Sequence, residues 1–412
     1  MVVKKVALNA LALATGGIVA QVCFLFIEAL IARRLGSEAY GTYGTVYAIA
    51  LQAGCIAEMG MAWKLLEEGS RDHAAIPRIL GTTIVLKLVF CGLLYLPMLA
   101  LLQLLGYSQE VIGFFSIFFG YAVLLAVQDS LAAVYAAHQR MHVSALFQGA
   151  IPVAILACVA IATQFAHQLE TIAWAYIAGA ALVVSIWTWR TFLAEHPRVE
   201  MRRAGEILRG SYLYGITGVL YQIILRIDLV LLSLLREMSE VGLFAASDKL
   251  ADMGLKAGTL SARVISPVLF AQSRHDPEGY RRTCKLVIRG VSVIGVFGCV
   301  ALALLAEPLL VAVFGKPFGA ATARATADGL YVCSMLGARA LPIPRSTAIA
   351  AVLGPVMIGA LAYMATLALP TDFAVRLIAG LAIYAAGLLA TRIVRRSDIE
   401  ELVRIIRLRK SA

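Results

Sequence analysis

Five ionisable residues stand within one largely apolar stretch, VGLFAASDKLADMGLKAGTLSARVISPVLF: Asp248, Lys249, Asp252, Lys256 and Arg263. A helix turns by about 100° per residue, which places all five within an arc of roughly 100°. Thr259 and Ser266 share that arc, while Leu250, Met253, Ala257, Val264 and Ile265 take the other side. A charge at mid-bilayer costs about 2.5–3.5 kcal/mol even on lenient scales, so five facing lipid would cost on the order of 12–17 kcal/mol. Turned to a bundle interior or a wet cavity, they avoid that cost. Asp252 and Lys256 stand at i, i+4, and Lys249 lies three before Asp252, so the stripe partly pairs with itself. One cation is left over. Two other readings of the stripe stay open: an amphipathic helix lying flat at the interface, or charges that only pair with neighbouring helices.

Other polar groups interrupt apolar runs. Arg226 and Asp228 in YQIILRIDLVLL are two apart, point to different sides, and each needs a partner on another helix. Lys87, and Gln128 with Asp129, are the intramembrane polar groups of the first half. Lys87 either snorkels towards the cytoplasmic edge or contributes to a ligand site. Glu28, Arg33 and Arg34 sit near the end of the first span and read as interfacial.

These residues need transmembrane helices to position them. The 412-residue chain is 61% hydrophobic and 15% charged, with a mean hydropathy of +0.84. Soluble domains are about 45–50% apolar and about 25% charged. Apolar runs of roughly 20 residues recur along the whole length, as bilayer-crossing helices require. The composition therefore defines an all-α polytopic membrane protein. Its net charge of +11 is explained by basic cytoplasmic loops rather than by nucleic acid.

The spans fall near 6–32, 40–63, 78–105, 111–137, 143–164, 171–192, 209–235, 240–270, 283–306, 320–341, 346–370 and 372–394. Lys and Arg concentrate in alternate loops only if all of these, about twelve, cross; both termini are then cytoplasmic. The first span, at 6–32, is too long for a signal-peptide core and is read as retained. A polar connection at 193–208 divides an N-terminal lobe (1–192) from a C-terminal lobe (209–394), each of about six helices around a central cavity. Gly17, Gln21 and Gly41 recur at a constant offset as Gly218, Gln222 and Gly242, and Glu28 matches Asp228 to within one residue. This reads as an internal repeat. The tail, 395–412, has a capping box at Ser397 and Glu400 and reads as an amphipathic helix on the cytoplasmic face.

Enzyme chemistry finds no foothold. There is no Ser/His/Asp set, HExxH motif or phosphate-cradling glycine loop. The seven cysteines form no CxxC pair and the six histidines lack ligand spacing, so neither a metal nor another cofactor is expected.

Three stretches resemble the polysaccharide (Wzx-like) flippases of the multidrug/oligosaccharidyl-lipid/polysaccharide exporter superfamily: RRLGSEAYGTYG at 33–44, RIDLVLLSLLREMSEVGLFAASDKLADM at 226–253 and LAEPLLVAVFGKPF at 305–318. The run IPRSTAIAAV at 343–352 departs from the family's pattern in lacking its glycines. The resemblance implies a MATE-like fold in the bacterial inner membrane. It also implies a polyprenyl-diphosphate-linked oligosaccharide as substrate, moved for O-antigen, capsule or exopolysaccharide assembly beside a polymerase and other assembly proteins. Arg226, Lys249, Lys256, Arg263 and Lys87 would then meet the diphosphate, with Asp228, Asp248, Asp252 and Asp129 positioning them or carrying a coupling proton. An ion-coupled drug antiporter of the same superfamily and a non-transporting partner in polymer export are the alternatives.

Overall fold

The computed structural model describes residues 2–165, 168–250, 252 and 305–321, with side chains from Thr15 onward. The described residues are helical and contain no strand. They form α1 (Val2–Glu58), α2 (Met61–Arg71), α3 (Ile76–Leu104), α4 (Gln109–Ala137), α5 (Met141–Phe165), α6 (Leu169–Glu195) and α7 (Ala204–Leu235). Further helix covers 238–250 and Leu305–Phe314. Six of these helices are long and apolar enough to cross a membrane. The chain is therefore an all-α, multi-pass membrane protein. The expected spans 283–306, 320–341, 346–370 and 372–394 and the tail lie wholly or almost wholly outside the described residues.

Spans one and two are the arms of α1. Gly36 (φ 84°, ψ −179°) breaks the helix in a region open to glycine alone. Tyr40 then donates to Glu28 Oε2 at 2.8 Å. In a straight helix those residues would stand about 18 Å apart along the axis. The bond therefore shows the chain folding back on itself at Gly36. Glu28 is buried, not interfacial as its position in the sequence suggested, because the fold-back delivers a phenol to it.

Span two also ends earlier than expected. Met59 (φ 49°) and Gly60 (φ 73°) adopt left-handed conformations, and Glu58 accepts from the backbone N–H groups of Gly60 and Ala62, both at 2.7 Å. Its carboxylate thus caps the first turn of α2. Ser108 caps α4 by accepting from Val111 N at 3.3 Å.

Residues 1–245 with 313–315 form one compact unit, and 246–312 with 316–412 form another. The first unit runs past the 193–208 connection and takes in α7. That connection is docked rather than free: Arg198 N donates to Pro77 O at 2.8 Å, Glu200 N to Thr82 Oγ1 at 2.9 Å, and Arg78 pairs with Glu200 at 3.4 Å. Gly81 leaves room for it, since a Cβ there would collide with the Arg198 carbonyl.

The internal repeat has a structural counterpart. A Cβ on Gly41 would strike the carbonyl oxygen of Met238, and a Cβ on Gly242 would strike that of Ser37. Ser37 and Met238 are separated by the same offset as Gly41 and Gly242. The contact is thus reciprocal, like that across a two-fold axis. The two acids of the repeat differ in setting: Glu28 is buried whereas Asp228 is exposed. Nearby, Tyr107 hydrogen-bonds Ser233 at 2.6 Å, and Arg33 donates to Val313 O at 2.8 Å. The helix Leu305–Phe314 is followed by Gly315 at φ 106°.

A Cβ against a fixed backbone oxygen forces overpacking, at about 1–3 kcal/mol. Gly41→Ala should therefore lower the melting temperature of the purified protein. Gly17→Ala, whose Cβ would meet nothing within 4 Å, should not; equal melting curves would refute the crossing.

Candidate functional site

The first unit contains a charged centre built from three helices. Lys87 on α3 is wholly buried. Its ammonium meets Glu58 at 3.1 Å and donates to the Ala126 carbonyl of α4 at 2.9 Å. Thr83, one turn earlier, and Ser130, one turn after Ala126, are buried beside them. A buried ammonium needs this much compensation. Lys87 consequently does not snorkel: its position on α3 faces α1 and α4, and Glu58 was the partner to look for. The sequence held a signal, since Glu58 is the sole charge between Glu38 and Lys64.

Glu58 also borders a cavity of about 280 Å³, with Asp129, Cys55, Trp63, Tyr214, Gly215, Gly218, Tyr221 and Gln222 in its wall. Asp129 is open to this space and lies within electrostatic reach of Lys87 and Glu58. The cavity exists because α7 comes close to the break after α1. A Cβ on Gly215 would meet the Met59 carbonyl at 2.7 Å, and one on Gly60 would strike Gly215 N. With both glycines in place, Trp63 and Tyr214 lie nearly parallel, 25° between planes and 6.4 Å between centroids.

Ion pairs run along α2, and one joins it to the residue that precedes α7. Lys64 meets Glu68 at 3.1 Å and Glu67 at 3.6 Å, and Arg203 meets Glu68 at 3.3 Å. Burial pulls the Lys64 ammonium down, but the two carboxylates outweigh it and hold its pKa above the ordinary value. Elsewhere, Tyr43, Tyr47, Phe118, Tyr121 and Tyr176 pack ring against ring and fill the interior among α1, α4 and α6.

The predicted residues are only partly brought together. Lys87 and Asp129 share one centre. Asp228 is exposed on α7 and accepts from its neighbour's amide, Leu229 N, at 2.8 Å. Arg226 is half-buried and engaged. Asp248, Lys249 and Asp252 are half-buried in the second unit, each held in a polar or electrostatic interaction. Lys256 and Arg263 lie outside the described residues. Glu58 was not anticipated despite that signal, and Trp63, Tyr214 and Tyr221 were not because exposed aromatics in apolar runs look like lipid-facing surface. Among the described residues no cluster could hold a metal ion.

The described residues thus define a multi-pass helical membrane protein with a polar cavity walled by its helices. Its neighbours among solved structures make the fold specific. An inward-facing MATE family multidrug transporter of the MOP superfamily aligns with a TM-score of 0.56 at 15% identity, covering 90% of this chain and 94% of that one. A mutant MATE transporter from Vibrio cholerae aligns at 0.56 and 16%, covering 95% and 97%. A MOP superfamily transporter from Pyrococcus furiosus, reported to have a binding pocket of reversed polarity suggesting a different function, aligns at 0.53 and 14%, covering 95% of each chain. The fold is therefore MATE-like. Residues 30–322 match the family model described as polysaccharide biosynthesis protein, and the chain belongs to that family. Comparison with curated proteins gives no match.

Removing Lys87 alone strands Glu58 beside a polar centre, which for a buried pair costs about 3–5 kcal/mol. Lys87→Met should therefore lower the melting temperature sharply. Adding Glu58→Gln, which keeps an acceptor for the α2 cap, should restore part of the loss. A double variant no better than Lys87→Met alone would show that the pair is not the stabilising unit.

Proposed function

We propose that this protein is a flippase that carries a polyprenyl-diphosphate-linked oligosaccharide from the cytoplasmic to the outer leaflet of a bacterial inner membrane, by alternating access. Membership of the polysaccharide biosynthesis family carries this reading, and the MATE-like fold supports it. A diphosphate sugar headgroup cannot cross hydrocarbon unaided, since burying its charge and hydroxyls is prohibitive. In this proposal Arg226, Lys249, Lys256 and Arg263 bind the diphosphate. Asp228, Asp248, Asp252 and Asp129 position those cations or take up a coupling proton. Lys87 serves at one remove, as the counter-ion of Glu58. Both termini face the cytoplasm, the polymer served is an O-antigen, capsule or exopolysaccharide, and a polymerase works beside the carrier. The protein is not an enzyme in this scheme.

One observation favours a second reading. Asp129 opens into the cavity of the first unit while the Lys87 ammonium is spent on Glu58 and a carbonyl, so that cavity carries surplus acid, as a cation antiporter needs. Two measurements separate the readings. At matched expression, Lys256→Ala and Arg263→Ala should each abolish surface polymer in a complementation assay; intact export in both would overturn the diphosphate site. Expression in drug-hypersensitive cells should leave tolerance to cationic dyes unchanged. A gain in tolerance that Asp129→Asn removes would establish the antiporter instead.

A further inference from the structure

The cavity of the first unit has a chemistry of its own, distinct from the cationic residues assigned to the diphosphate. Trp63, Tyr214 and Tyr221 line it and remain 60%, 40% and 50% exposed. Tyr214 and Tyr221 are seven residues apart, two turns along one face of α7. Trp63 comes from α2 and lies parallel to Tyr214. The polar members of the wall are Glu58, Asp129 and Gln222, which offer carboxylate and amide oxygens and one amide N–H₂. Among the described residues the wall includes neither Arg nor Lys, and the Lys87 ammonium behind it is occupied.

We infer that this cavity is a sugar-docking subsite, in which the aromatic rings take the C–H faces of a pyranose and Glu58, Asp129 and Gln222 take its hydroxyls. The inference rests on the flippase reading and extends it by dividing headgroup recognition: sugar on the first unit, diphosphate on the basic residues of the chain. An aromatic ring has a negative face and a positive edge, and polarised C–H groups of a sugar ring pack onto that face as weak donors. Carboxylates accept from sugar hydroxyls with charge-assisted strength. A volume of about 280 Å³ lies just under the range for drug-sized ligands, roughly 300–1,000 Å³, and suits one or two sugar rings rather than a whole repeat unit. A phosphate placed here would face the Asp129 carboxylate, with Glu58 already paired to Lys87, and no cation from the described wall. The neutral part of the headgroup is the part that fits.

The test uses the full-length protein in nanodiscs and three probes: the oligosaccharide released by mild acid from polyprenyl lipids of the source cells, inorganic pyrophosphate and tetraphenylphosphonium. Calorimetry should show saturable oligosaccharide binding to the unaltered protein. Trp63→Ala and Tyr221→Ala should each weaken it by at least about tenfold and leave pyrophosphate binding unchanged. Both rings are exposed, so neither substitution should disturb the fold, and an unchanged melting temperature checks this. The inference is overturned if the oligosaccharide does not bind, if both variants bind it as the parent does, or if the two substitutions abolish tetraphenylphosphonium binding instead. A parallel assay in proteoliposomes follows the lipid-linked form. If the parent binds the free sugar but moves no lipid-linked form, the transport reading fails and the subsite stands. If the parent moves the lipid-linked form and both variants do so with the same half-saturation, the subsite fails and the transport reading stands.

Discussion

A fully buried ammonium fixes much of the first unit. Lys87 has no route to water, so its charge must be answered from within, and the answer comes from two other helices. Glu58 is held at the end of α1 and the Ala126 carbonyl on α4. Leaving either group unmet in a low-dielectric interior would cost more than most packing contacts return. The three helices are therefore held in one register, and the cavity beside them inherits that register.

Glu58 has a second task that binds local structure to this centre. The carboxylate that answers Lys87 also caps the helix that follows it. The left-handed pair Met59 and Gly60 makes this possible by turning the chain within two residues. The same turn brings α2, with Trp63 on it, to the mouth of the cavity, and lets α7 approach through Gly215. Charge pairing, helix capping and aromatic placement thus converge on a few residues.

Much of the fold was legible in the sequence because bilayer crossing imposes a length and an apolarity that few other structures share. The expected limits of spans three to seven lie within a few residues of α3 to α7. The Gly41/Gly242 pair of the repeat likewise pointed to a contact that the backbone makes. What escaped was whatever depended on the direction of a side chain after a bend. Glu28 looked interfacial because nothing in its spelling tells that Gly36 returns Tyr40 to it. Lys87 looked free because its partner lies 29 positions earlier, beyond a helix break. The cavity aromatics could not be told from lipid-facing ones by composition, since both are large, apolar and exposed. Only the packing of α7 against α2 distinguishes them.

The docked segment between α6 and α7 sets a limit on motion. Glu200 is fastened to α3 through Thr82, and α7 begins at Ala204. A fully extended chain covers at most about 3.3–3.6 Å per residue, so this leash reaches roughly 14 Å. While the fastening holds, the start of α7 can swing or slide only within that radius of the α3 anchor. The amide and hydroxyl that meet there therefore set how far one helix can stray from the other.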